Sequence, residues 1–311
     1  MRYIVFVLSI IFLFLAPFYG QIEIEYRNLF DSTSMGYKLF WELRVPRVTV
    51  AFFAGGLLGL GGMIFQSLFK NPMGTPYTLG VASGSTLGVA SAIIFGFSSF
   101  VTLFGFLGAL GTVILLFGIT ARLKSYESNS LLLVGIALSF FYSATLMILF
   151  YLSNESQSFE IVRFTMGSVD VVNIDEILLI VVSSLTLFMI TLWYRYELRV
   201  LLTSNENAFL KGVNVKRVNT ILLFIVSIVT GVSVSITGPI GFVGLVIPHI
   251  IKIFYKKSTD RLIYPIFFYS GIFLVLSDFI ARNLGNNSDI PIGIITSFIG
   301  GPFFIYLIIK R

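Results

Sequence analysis

The sequence has no cysteine and a single histidine, and these two shortages exclude several kinds of site. Without cysteine the chain can form neither a disulfide nor a thiolate metal site, and it has no thiol nucleophile. A zinc site built on two histidines of one helix cannot form around His249 alone. We therefore expect no catalytic residue, no resident metal ion and a structural role for His249.

Charged residues are also scarce. They make up 12% of the chain, against about a quarter in soluble globular proteins. Because 56% of the residues are hydrophobic and the mean hydropathy is +0.94, much of the surface must face lipid. The net charge of +6 does not indicate a nucleic-acid partner, since the basic residues lie between apolar runs, where topology signals lie.

A phosphate-binding loop of the form Gly-x-x-x-x-Gly-Lys-Ser/Thr is missing, so the chain cannot hydrolyse ATP alone. Two other function classes have weak signals. Ser83, in the small-residue run 80–84, resembles the nucleophile of an intramembrane protease, but such runs commonly let helices pack closely. An ion-coupled carrier would bury ionisable residues at mid-membrane. Here charges gather at span ends, and Asp278 beside Arg282 has the pattern of a snorkelling pair.

Ten apolar segments approach the length of about 20 residues that a helix needs to cross a bilayer. They lie at residues 3–20, 46–69, 77–96, 98–120, 130–152, 174–194, 218–236, 240–255, 262–281 and 290–309. The first could also be a cleaved signal peptide, which would leave the remaining topology unchanged. The sequence predicts an all-α polytopic membrane protein with residues 1–311 in one transmembrane domain.

Basic residues give the orientation of these spans. With the N-terminus in the cytoplasm, 15 of the 21 basic residues but only 4 of the 15 acidic residues lie on the inner side. Both termini are therefore predicted to be cytoplasmic. Spans 2–5 and 7–10 then cross in opposite directions on either side of span 6, which is the arrangement of an inverted repeat.

Two proline- and glycine-rich segments interrupt the apolar pattern. Proline removes a backbone donor and disfavours helix at the preceding residue. Irregular backbone at membrane depth persists only where protein or a water-filled cavity surrounds it. We therefore expect a translocation path or gate, or re-entrant turns that only pack in the bundle, at Gln66, Asn71, Pro72, Pro76, Gly80, Gly238, Gly241, Gly244 and Pro248.

Residues 203–219 form the longest polar stretch on the inner side. Ser204 or Asn205 can cap the start of a short helix, and Gly212 can end it. Such a helix suits docking into a groove of a partner protein. The alternative is a solvated basic loop held by anionic lipid.

Arg44, Arg47 and Arg282 lie at span ends on the predicted outer side, where we expect an exposed rim. Arginine forms paired hydrogen bonds with carboxylates, so this rim could receive acidic residues of a soluble protein. Anchoring to lipid headgroups is the simpler alternative.

Four sequence segments carry a further signal when they are taken together. They are RVPR at 44–47, QSLFKNPMGTPYTLGVASG at 66–84, GPIGFVGLVIPHIIK at 238–252, and Ala281-Arg282 followed by IPIG at 290–293. In order and spacing they resemble the FecCD-type permease family of ABC importers, which carry iron-siderophore complexes and vitamin B12. Lys252 and Gly74 depart from the usual Arg and Ala. The resemblance covers nearly the whole chain.

The resemblance implies a set of roles and partners. Spans 5 and 10 would line the path, beside a second permease subunit that is a paralogue or an identical copy. The inner helix, with Ala208 and Gly212 matching the family pattern and Lys211 at a usually apolar position, would couple the chain to two subunits that bind ATP and Mg²⁺. The three arginines would dock a periplasmic or lipoprotein substrate-binding protein. The implied cargo is a ferric siderophore, or alternatively vitamin B12 or haem, carried across the bacterial inner membrane.

Overall fold

The computed structural model describes residues 2–22, 29–122, 128–171, 173–201, 208, 210–255, 258–284 and 289–309. Within these ranges the chain forms twelve main α-helices and no strand. They are α1 Arg2–Leu15, α2 Val45–Leu68, α3 Val81–Ile94, α4 Val101–Arg122, α5 Ser128–Leu152, α6 Glu155–Thr165, α7 Ile174–Trp193, α8 Arg195–Leu201, α9 Val215–Thr237, α10 Val243–Tyr255, α11 Ile263–Leu284 and α12 Ile292–Ile309.

The ten predicted spans all correspond to apolar helices. Six are long enough to cross a membrane, namely α2 with the turns before it, α4, α5, α7, α9 and α11. Four shorter apolar helices, α1, α3, α10 and α12, lie at the other four predicted positions. The predicted all-α polytopic membrane fold is therefore confirmed.

The outer side holds two features that the apolar pattern does not predict. A helical turn at Met35–Tyr37 and a π-helical turn at Lys38–Arg44 continue directly into α2. The short helix α6 begins at a capping box, in which the Asn154 and Gln157 side chains each accept a hydrogen bond from the other's backbone N–H. Gln157 also donates to the carbonyl of Ile93 at 3.3 Å, so α6 lies against the outer end of α3.

Helix packing follows the predicted inverted repeat. In that repeat α2 corresponds to α9, α3 to α10 and α4 to α11. α2 packs against α10 and α11 of the second group. In the same way, α9 packs against α3 and α4, which are the counterparts of α10 and α11 in the first group. α7 lies between the two groups and contacts both α2 and α9. The chain is thus organised around two equivalent helices, α2 and α9.

Glycines allow α2 to lie at the centre of the bundle. A Cβ atom on Gly59 would overlap the Ser270 side chain of α11, and one on Gly62 would overlap the backbone of Gly244 in α10. Small residues at such crossings let two backbones approach closely in a membrane, where dispersion replaces the hydrophobic effect as the main attraction. α2 is consequently buried along most of its length.

Candidate functional site

Gln66, near the inner end of α2, is bonded both to the first turn of α10 and to Lys252 near the end of that helix. Its side-chain amide donates to the carbonyl of Gly244 at 3.2 Å, and its Oε1 accepts from the ammonium of Lys252 at 3.2 Å. Gln66 is buried, so these bonds satisfy polar atoms that would otherwise be costly to bury. Gln66 and Gly244, each predicted to belong to a path or gate, therefore meet at a helix–helix contact, and the path or gate role stays a prediction.

The segment between α2 and α3 is irregular, as the prolines predict. The Asn71 side chain accepts from the backbone N–H of Met73 at 2.9 Å, which forms a turn beside Pro72. Pro76 begins the short 3₁₀ turn Pro76–Leu79. Gly80 ends that turn with φ +79°, a left-handed conformation that favours glycine, and it lies against Gly135 of α5.

The segment between α9 and α10 is the second irregular stretch. Gly238 has φ +67°, and its Cα faces the carbonyl of Phe164 so closely that a Cβ atom would overlap it. The backbone N–H of Ile240 donates to the Tyr77 hydroxyl at 3.1 Å, which ties this segment to the one between α2 and α3. Pro248 lies inside α10. The two predicted motifs thus meet in space.

Two cavities flank the 238–242 segment and share Pro239. The hydroxyl recess, of about 250 Å³, is lined by Tyr77, Ala82, Ser83, Thr86, Tyr142, Ser143, Leu146 and Pro239. The loop recess, of about 470 Å³, is lined by Thr165, Met166, Pro239, Gly241, Gly293, Ile294, Ser297 and Phe298. The described residues that line these cavities carry hydroxyl, apolar and backbone groups and no charged side chain. α5 contributes to the first cavity and α12 to the second; that spans 5 and 10 line the translocation path stays a prediction.

Arg44 does not lie on an exposed rim. Its side chain is buried and donates hydrogen bonds to the carbonyls of Pro17, Phe18 and Ile22, just beyond α1. A cation at the C-terminal end of a helix satisfies carbonyls that lack helical partners and interacts favourably with the helix dipole. Arg44 therefore holds the end of α1 against the turn that precedes α2.

Arg47 and Arg282 belong to an ion cluster built around Asp278 of α11. Arg47 Nε lies 2.8 Å from Asp278 Oδ1, and Arg282 Nε lies 3.0 Å from Asp278 Oδ2. Arg47 Nη1 reaches Asp289 at 2.5 Å and Asp170 at 3.5 Å. The Asp278 side chain is fully buried, whereas those of Asp170 and Asp289 are 46% and 41% exposed. With all five groups ionised the ion cluster has a formal charge of −1.

The ion cluster corrects two expectations. The expectation that the three arginines form an exposed rim is wrong, because Arg44 and Arg282 are buried and the Arg47 side chain is only 12% exposed. The expected pair of Asp278 and Arg282 does form, but the snorkelling interpretation is wrong, because Asp278 faces α2 rather than the membrane surface and also binds Arg47. Asp170 and Asp289 were not singled out from the sequence, and no local pattern marks either one. A docking role for the arginines stays a prediction.

On the inner side, the structure describes part of the predicted coupling segment. Ala208 is buried and its carbonyl accepts from the Val213 N–H at 3.0 Å, while Lys211 is exposed. Gly212 has φ +79°, as expected of a residue that ends a helix. Asn205 lies outside the described residues. The coupling role of these residues stays a prediction.

A neighbouring ion pair fixes the surface beside this segment. Arg199 of α8 lies 3.7 Å from Asp260, which is in the turn before α11. A hydrogen bond with the Ser258 side chain, together with nearby positive charge, lowers the pKa of Asp260. Asp260 therefore stays ionised at neutral pH, and its contact with Arg199 connects α8 to that turn.

Comparison with known proteins places this geometry in a family. The model of the FecCD transport family matches residues 7–310. The hemin transport system permease HmuU of Yersinia pestis is 32% identical over 94% of this chain and 90% of its own. The molybdate import system permease MolB of Haemophilus influenzae is 31% identical over 94% of this chain and 88% of its own. A solved metal-chelate type ABC transporter in an inward-facing conformation superposes with a TM-score of 0.88 and 29% identity over the whole of both chains. The chain therefore belongs to the FecCD transport family and is a multi-pass permease of an ABC importer.

Proposed function

We propose that this permease carries a ferric siderophore across the bacterial inner membrane. The main observation in support is that the hydroxyl recess and the loop recess, on either side of Pro239, are lined by uncharged residues. A small oxyanion or bare metal ion would lose its hydration against such walls without gaining a charged partner, which is costly. A large chelate instead surrounds its metal with organic groups and presents oxygens that hydroxyl groups can bind.

The chain works beside a second permease subunit, and two ATP-binding subunits supply the energy. ATP and Mg²⁺ bind those subunits, whose motion reaches the permease through the surface at Ala208, Lys211 and Gly212. The two irregular segments joined by Tyr77 and Ile240 lie beside the recesses and move as the gate. This chain supplies the path and performs no bond chemistry.

A periplasmic or lipoprotein substrate-binding protein delivers the cargo to the outer side. The ion cluster constrains how acidic residues of that protein engage Arg47. Because the cluster already has a formal charge of −1, another carboxylate cannot simply add to it without repulsion. Docking therefore proceeds by exchange, in which a partner carboxylate replaces half-exposed Asp170 or Asp289 at Arg47 while buried Asp278 stays in place.

The cargo is tested by uptake in iron-starved cells that lack this chain and are complemented with it. We expect complementation to restore accumulation of radiolabelled iron supplied as a ferric siderophore, with no change for haem, vitamin B12 or molybdate. Accumulation should stop on ATP depletion and survive collapse of the proton gradient. Restored uptake of haem, vitamin B12 or molybdate with no effect on ferric siderophores would overturn the proposed cargo.

A further inference from the structure

A third cavity lies at the inner ends of α4 and α9 and belongs to neither recess. Its volume is about 720 Å³, and it is lined by Phe117, Ala121, Asn214, Lys216, Arg217, Thr220 and Ile221. Phe117 and Phe224 pack edge to face with ring centroids 6.2 Å apart, which joins the two helices beneath it. The predicted topology places this cavity in the cytoplasmic leaflet.

The lining changes character with depth. Lys216 and Arg217 are exposed at the start of α9, where the Asn214 side chain caps the helix by accepting from the Arg217 N–H at 3.1 Å. Thr220 and Ile221 lie one turn deeper, opposite Phe117 of α4. Two cations and the positive end of a helix dipole thus surround the mouth, and apolar side chains line the interior.

We infer that this cavity binds an anionic phospholipid, with its phosphate at Lys216 and Arg217 and the start of an acyl chain against Phe117 and Ile221. Basic pockets between spanning helices on the cytoplasmic side suit acidic headgroups. The apolar depth distinguishes this ligand from a soluble partner. A cytoplasmic ATP-binding subunit could meet the two cations but would not fill an apolar space between two spans.

Phosphatidylglycerol is the probe. The purified full-length protein is exchanged into nanodiscs or detergent with either phosphatidylglycerol or phosphatidylcholine, and retained lipid is counted by native mass spectrometry. The variant carrying Lys216→Gln and Arg217→Gln should retain about thirtyfold less phosphatidylglycerol, since two bases near an anionic surface together contribute about 2 kcal/mol. The matched control, Arg195→Gln with Arg261→Gln, removes two exposed inner-side cations elsewhere and should retain wild-type amounts.

A second variant tests the cavity without changing its charge. Ile221→Trp fills the apolar depth and should also reduce retained phosphatidylglycerol, while thermal unfolding in phosphatidylcholine verifies that each variant is folded. If the control variant lost as much phosphatidylglycerol, the proposed site would be overturned, because any two cations on the inner side would then retain the lipid equally well. If inorganic phosphate alone raised the thermal unfolding midpoint, and phosphatidylglycerol were retained no better than phosphatidylcholine, the lipid assignment would be overturned. Unchanged lipid with weaker capture of the ATP-binding subunit would reassign the two cations to that interface.

Discussion

Arg47 Nε lies 2.8 Å from Oδ1 of Asp278, and this contact joins α2 to α11 across 231 residues of sequence. Asp278 is fully buried and also pairs with Arg282, so this one carboxylate contacts both guanidinium groups, while Asp170 and Asp289 contact Arg47 from the exposed side. Two arginines this close would repel each other without it. Asp278 is therefore the residue that allows both cations to stay inside the outer end of the bundle.

Replacing Asp278 with Asn should destabilise the protein strongly. Removal of one partner from a buried ion pair leaves an uncompensated charge and costs about 3–5 kcal/mol. Thermal unfolding in detergent should show a large fall in midpoint for Asp278→Asn. The control Asp289→Asn, at a side chain that is 41% exposed, should cost less than about 1 kcal/mol. Equal small effects would mean that Asp278 does not hold the cluster together.

Neutralising the exchangeable acids should strengthen docking. The variant carrying Asp170→Asn and Asp289→Asn changes the formal charge of the ion cluster from −1 to +1 and leaves Arg47 accessible to a partner carboxylate. We expect its affinity for the substrate-binding protein to rise by about tenfold, since charge complementarity across interfaces contributes on this scale. Surface plasmon resonance with the permease in nanodiscs measures this change.

A matched control for the docking test removes two acids from the same side. Glu155 and Glu160 of α6 are exposed and do not contact the ion cluster, so Glu155→Gln with Glu160→Gln should leave the affinity unchanged. Charge reversal at Arg47 or Arg282 is a poorer test, because either change places another acid beside buried Asp278. Weaker binding by the Asp170 and Asp289 variant would contradict exchange. It would favour a structural role for Arg47 alone.

The sequence predicted the spans and their interruptions because these depend on local chemistry. Apolar length sets a membrane span, and Pro76 and Gly80 disrupt helix wherever they lie. The ion cluster could not be predicted in this way. Asp170 precedes α7 and Asp289 follows α11, and only the packing of α2 against both of these helices brings the two acids to Arg47. Exposure of an arginine at a span end is likewise set by tertiary neighbours.

The crossing of α2 and α10 should be sensitive to a single methyl group. A Cβ atom on Gly62 would overlap the backbone of Gly244, so Gly62→Ala must push the helices apart or strain them. Overpacking of this kind costs about 1–3 kcal/mol. Gly111 of α4 has open space at its Cβ position, and Gly111→Ala should be neutral or stabilising by up to about 1 kcal/mol. Thermal unfolding midpoints of the two variants are compared. Equal midpoints would show that the crossing of α2 and α10 has room for a methyl group.

Filling the hydroxyl recess should slow transport without disturbing assembly. Ser143 of α5 lines this recess of about 250 Å³, and Ser143→Phe would occupy much of it. If cargo passes the recess, a Phe ring that must be displaced raises the barrier by about 1.4 kcal/mol, equal to roughly tenfold slower uptake. Ala144 is exposed on the same helix and does not line the recess, so Ala144→Phe should transport at the wild-type rate. Reconstituted vesicles report uptake, and co-purification of the ATP-binding subunit reports assembly. Normal uptake by Ser143→Phe would show that the cargo does not contact this recess and would place its route elsewhere.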